Sequence, residues 1–123
     1  MLDYLRRSQL IGISLEPTEL SARLEFTYGS QEYDVVIQLF EIIHFVLSKD
    51  PDDNAPLYVG RIDLTVIENG GKEILSSLLY PFREQDGSVT SYPSRSLFHL
   101  HIEGGVCIEA VCGSYQVFQE IKA

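Results

Sequence analysis

Apolar and polar residues alternate along most of this chain with a period of two, the spacing of a half-buried β-strand. The clearest case is LSARLEFTY, residues 20–28. There Leu20, Ala22, Leu24, Phe26 and Tyr28 fall on one face and Ser21, Arg23, Glu25 and Thr27 on the other. Just before it, LIGISLE groups Ile11, Ile13 and Leu15, and the intervening EPTE reads as a turn around Pro17. The two segments predict a β-hairpin. Residues 57–67 alternate again, with Ile62, Leu64 and Val66 inward, and residues 96–103, 106–112 and about 115–121 add two or three strands.

Two segments break the pattern. In EYDVVIQLFEIIHFVLS, residues 32–48, Asp34, Gln38, Glu41, His44 and Ser48 would share one side of a helix. The β-branched and aromatic content of the same stretch favours a strand, bulged near Glu41. KEILSSLLY follows the break ENGG, and its Ile74, Leu75, Leu78 and Leu79 have helical spacing up to Pro81. One short helix is therefore expected near 71–80. The whole reads as one domain, 1–123, of the α+β class and β-rich. About six or seven strands form a mostly antiparallel sheet, curved or sandwich-like. Strands and helices do not alternate, which argues against a doubly wound nucleotide-binding fold.

Composition narrows the function classes. The net charge is −9, from 18 acidic and 9 basic residues. The cations are scattered, with only Arg6 and Arg7 adjacent, so neither nucleic acid nor an anionic membrane surface is an expected partner. No apolar run approaches the roughly 18 residues of a membrane-spanning helix. The first residues show neither a secretory apolar core nor a cleavage site, and a cytoplasmic location is expected. Cys107 and Cys112 lie five positions apart in a segment that reads as strand, so their side chains point to opposite faces. Their Cα atoms would be roughly 16 Å apart, where a disulfide needs less than about 7 Å. Free thiols fit a reducing compartment.

Most of the candidate chemistry lies in LFHLHIEGGVCIEAVC, residues 97–112. A two-residue Gly104, Gly105 turn would pair Leu100 with Glu109 and bury a carboxylate, at a cost of several kcal/mol. A three-residue loop of Gly104, Gly105 and Val106 instead pairs Ile102 with Ile108 and Leu100 with Ala110. That register gathers His99, His101, Glu103, Cys107 and Glu109 on one face. His99, His101, Glu103 and Glu109 are then candidate ligands for zinc or a similar divalent ion. The simpler reading is a solvated sheet face on which His101 and Glu109 form a cross-strand pair.

Elsewhere, Asp50, Asp52 and Asn54 begin like a calcium loop, but Ala55 replaces the required Gly and Arg61 the bidentate Glu. The chain carries no G-x-G-x-x-G, Walker A, H-E-x-x-H or G-x-S-x-G motif. Tyr80, Phe82, Arg83, Tyr92 and Arg95 lie in a long predicted loop and have the composition of an interface hot spot. In size, acidity and β-richness the chain resembles small acidic bacterial proteins, some of which are immunity proteins that block toxins. No residue carries over on that likeness. The expectation is a non-catalytic domain without a cofactor, acting on a protein partner or on its own copy. The alternative is a metal-binding protein or metal-dependent enzyme built on the His99 and His101 face.

Overall fold

The computed structural model describes residues 2–28, 32–68 and 96–122. Among them are six strands: β1 (Gln9–Glu16), β2 (Ser21–Thr27), β3 (Tyr33–Ser48), β4 (Val59–Ile67), β5 (Leu97–Gly104) and β6 (Cys107–Ile121). They form one antiparallel sheet in the order β1-β2-β3-β6-β5-β4. The only helical piece among the described residues is a 3-10 turn, Asp3–Leu5, which buries Leu5. The helix expected near 71–80 lies outside the described residues. The β-rich, antiparallel character of the sequence reading holds.

The two long strands organise the sheet. β3 and β6 pair from Tyr33 with Ile121 to Ser48 with Cys107. β2 joins the first half of β3, at Val35 to Leu39, whereas β5 joins the first half of β6, at Ile108 to Cys112. The β1–β2 and β4–β5 pairs therefore hang from opposite halves of the long pair. The sheet curls until its edges meet: Gln9 bridges Tyr58, and the Arg7 and Leu10 N–H groups donate to the Val59 and Leu57 carbonyls at 2.8 and 2.9 Å.

The halves meet at a bend written into both strands. Inward positions on β3 run Val35, Ile37, Leu39 and then Ile42 and Phe45; on β6 they run Ile108, Ala110, Cys112 and then Tyr115 and Val117. The alternation slips at the same level in each strand. On β3 the slip falls at Glu41, which takes φ 55°, and a register shift follows between Ile42 and His44. A left-handed residue other than glycine costs roughly 1–2 kcal/mol. Gly113 lies across from it, and a Cβ there would stand 3.0 Å from the Glu41 Cβ. The bulged strand expected for 32–48 is thus observed, with its irregularity where Glu41 stands.

Phe26, Leu24, Ile37, Leu39, Leu100, Ile102 and Ile108 are fully buried inside the curl. Each contributes about 1.5–3 kcal/mol by leaving water. Several sequence assignments need correction. Leu20 is not inward: it closes the β1–β2 turn at φ 52° and is 55% exposed. A bulge between Leu10 and Gly12 makes Leu10 and Ile13 the core residues of β1, and Ile11 is exposed. Leu15 and Val66 keep their expected strand positions but are exposed. The segments 106–112 and 115–121 are one strand, bent at Gly113 rather than broken.

Candidate functional site

The β5–β6 hairpin has the odd-loop register, with Ile102 opposite Ile108, Leu100 opposite Ala110 and Phe98 opposite Cys112. Val106 turns into the core and is buried. The glycines are demanded by space. A Cβ on Gly104 would lie 2.0 Å from the Tyr58 carbonyl oxygen, and the Gly105 N–H donates to that same oxygen at 3.0 Å. The hairpin tip is thereby seated on the backbone that closes the sheet.

This register turns a polar grid outward. On β5 and β6, His101 faces Glu109 and His99 faces Val111. On the β4 side, Thr65, Asp63 and Arg61 continue the rows of His99, His101 and Glu103. On the β3 side, His44, Val46 and Ser48 continue those of Val111, Glu109 and Cys107. All three histidines and Cys107 thus lie on one face of a four-stranded half-sheet. A shallow depression along β4 and β5 is lined by Arg61, Asp63, Thr65, His99 and His101.

Hydrogen bonds run through the centre of this grid. The His99 Nε2 meets Glu109 Oε2 at 2.5 Å, His101 Nδ1 meets Glu109 Oε1, and His101 Nε2 meets Glu103 Oε1 at 2.7 Å. The His99, His101 and Glu109 side chains are mostly buried, and Glu103 is half exposed. An ionised carboxylate only accepts hydrogen bonds. With both carboxylates ionised, both His101 nitrogens donate, as an imidazolium does. The Glu103 hydrogen bond, with Glu109 adding to it, holds the His101 pKa above its ordinary value against the opposing effect of burial. Arg61 Nε is bound to Asp63 Oδ2 at 2.6 Å, so the cation beside the cluster has a partner.

These contacts limit the chemistry. His101 has no free nitrogen with which to act as a base or ligand in this arrangement. Burial pushes the Cys107 thiol pKa up, and Glu109 and Glu103 push it further, so the thiol is a poor nucleophile. Among the described residues no group of three or more His, Cys, Asp and Glu side chains is arranged to hold a metal ion. The sequence brings His99, His101, Glu103 and Glu109 together as foreseen, but joined to one another rather than converging on a common point.

The calcium-like segment is an internally bonded turn. Asp50 Oδ1 accepts from the Asp52 N–H at 3.0 Å and Asp53 Oδ1 from the Ala55 N–H at 2.9 Å. The Lys49 ammonium donates to the Asp50 and Asp53 carbonyls. A cation of the chain's own already occupies that turn. Tyr80, Phe82, Arg83, Tyr92 and Arg95 lie outside the described residues. Cys107 and Cys112 are free and on opposite faces, as their spacing required.

Sequence reading missed the contributions of Asp63, Thr65, Val46 and His44, because strand order decides which strands flank the hairpin. It also missed Arg23, which reaches Glu25 at 2.8 Å and Glu120 at 2.6 Å on the other half of the sheet. Alternation alone places Arg23 outward but does not name Glu120, which lies 97 positions away. The chain matches no protein-family model and no curated protein sequence.

Proposed function

We propose that this chain is a non-catalytic binding domain and that the polar face of β4, β5, β6 and β3 receives a protein partner presenting lysine and arginine. The carrying observation is the fixed chain of His99, Glu109, His101 and Glu103 on the outer face of the sheet, mostly buried at its centre and half exposed at Glu103. Its carboxylates are held in place before any partner arrives, which lowers the ordering cost of binding. Glu103 and Asp63 leave roughly half of their side-chain surface to solvent, at 52% and 44%, and Val46 adds an apolar contact beside Glu109. A net charge of −9 favours encounter with a basic surface. Two free thiols suit a reducing compartment, in keeping with a cytoplasmic role. No helix among the described residues is long and apolar enough to cross a membrane.

The test is a titration of the ¹⁵N-labelled chain with a short peptide rich in lysine and arginine. Amide shifts should centre on Thr65, His99, His101, Glu103 and Glu109, shrink with added salt, and weaken in Glu103→Gln. Shifts confined to the aspartates of residues 50–53, or unaffected by Glu103→Gln, would refute the assignment of this face.

A further inference from the structure

The opposite edge of the sheet carries a second surface. β1 is paired to β2 along its whole length, but its outer edge is bonded only as far as Leu10, where it meets residues 57–59. From Ile11 to Glu16 that edge has no strand partner among the described residues. Ile11 and Leu15 are 46% and 55% exposed. Natural edge strands are protected by lysine, proline or bulges. QLIGISLE holds neither lysine nor proline, and its one bulge precedes Gly12, leaving Gly12 to Glu16 in regular register with β2.

We infer that this edge pairs with β1 of a second copy of the chain, antiparallel and two-fold about Ser14. The sequence matches itself in that register. Ile13, which packs on the core, and Leu15, which continues the same face beside buried Ala22, meet Leu15 and Ile13 of the second copy. On the outer face Ser14 meets Ser14, and Glu16 meets Gly12, where the Glu25 carboxylate that leans over Gly12 is bound to Arg23. Each apolar pair extends the core of both copies, the arrangement that stabilises cross-strand neighbours. A two-fold contact of this kind is closed and stops at two copies. The long-range repulsion of two chains of charge −9 opposes it, so added salt strengthens the association. Binding of a basic partner to the histidine face responds to salt in the opposite sense, and the two surfaces can fail independently.

Crosslinking tests the register. Directly opposed residues in an antiparallel pair have Cα atoms about 4.5–5.5 Å apart, within disulfide range. In a Cys107→Ser background, Ser14→Cys should form a disulfide-linked dimer under mild oxidation, whereas Leu15→Cys, offset from its own copy, should not. By sedimentation equilibrium the unmodified chain should associate reversibly, and Leu15→Lys should weaken that association by about tenfold or more. Leu15 is 55% exposed, so circular dichroism should show the variant folded. A chain that stays monomeric at every concentration and salt would overturn the inference. So would crosslinking no faster at position 14 than at 15, or a folded Leu15→Lys variant that associates like the unmodified chain.

Discussion

Gly104→Ala should be among the most damaging single-methyl additions available to this chain. The new Cβ would sit 2.0 Å from the Tyr58 carbonyl oxygen and 2.9 Å from the Gly60 nitrogen. Both are backbone atoms, so no side chain can swing aside. The hairpin tip must lift from residues 58–60, which strains the hydrogen bond from the Gly105 N–H to Tyr58 and the adjoining bridge between Gln9 and Tyr58. Overpacking costs about 1–3 kcal/mol, and a lost hydrogen bond about 1 kcal/mol. The expected destabilisation is therefore about 2–4 kcal/mol, or a fall in Tm on the order of 10–20 °C for a domain of this size. Gly60→Ala is the control. Its Cβ would meet the Glu103 carbonyl oxygen at 3.4 Å, an ordinary contact, and should cost less than about 1 kcal/mol. Urea unfolding of both variants decides the matter. If Gly104→Ala came within about 0.5 kcal/mol of Gly60→Ala, the close approach of hairpin and closing strand would be wrong.

Other expectations follow from the histidine face and the thiols. Because the folded state raises the His101 pKa, its contribution is complete below the unfolded value of 6.5 and is lost as pH rises through the folded pKa. Urea midpoints should therefore fall on the alkaline side, and Glu103→Gln should flatten that slope; an unchanged slope would remove Glu103 as the main cause. Cys112, fully buried and pushed up to about 11, should resist iodoacetamide until the protein unfolds, with Cys107 modified slowly in the native state; mass spectrometry of the alkylated chain reads both. Purified without a histidine tag, the protein should carry well under one equivalent of zinc, because the His101 nitrogens and the Glu109 carboxylate already satisfy one another; a full equivalent lost in a His99→Ala/His101→Ala variant would contradict that.

Local physics made the hairpins readable. The β5–β6 register followed from the cost of burying Glu109, and that one choice placed His99, His101, Glu103 and Glu109 together. The strand over residues 32–48 followed from its β-branched residues, and Glu41 marked the irregularity. What could not be read is long-range. Pairing of β3 with β6 joins residues 59 to 88 positions apart, and no local pattern encodes which edge β6 chooses. Alternation also overestimates burial near strand ends. Leu15 and Leu20 extend the alternation to the strand ends, where both are 55% exposed. The bend at Glu41 and Gly113 hid the unity of β6, because a phase slip within one strand looks the same in sequence as a break between two.

The strand order also constrains how the chain is born. β6 is the last of the six strands to be synthesised, yet it sits between β3 and β5. Until residue 121 has emerged from the ribosome, β3 and the β4–β5 pair have no strand to join them, and β3 offers a long apolar edge to whatever is nearby. Productive folding must wait for the final strand, which is the slow regime of non-local β topology. During that interval the nascent chain is at its most prone to capture by chaperones or by other nascent copies of itself.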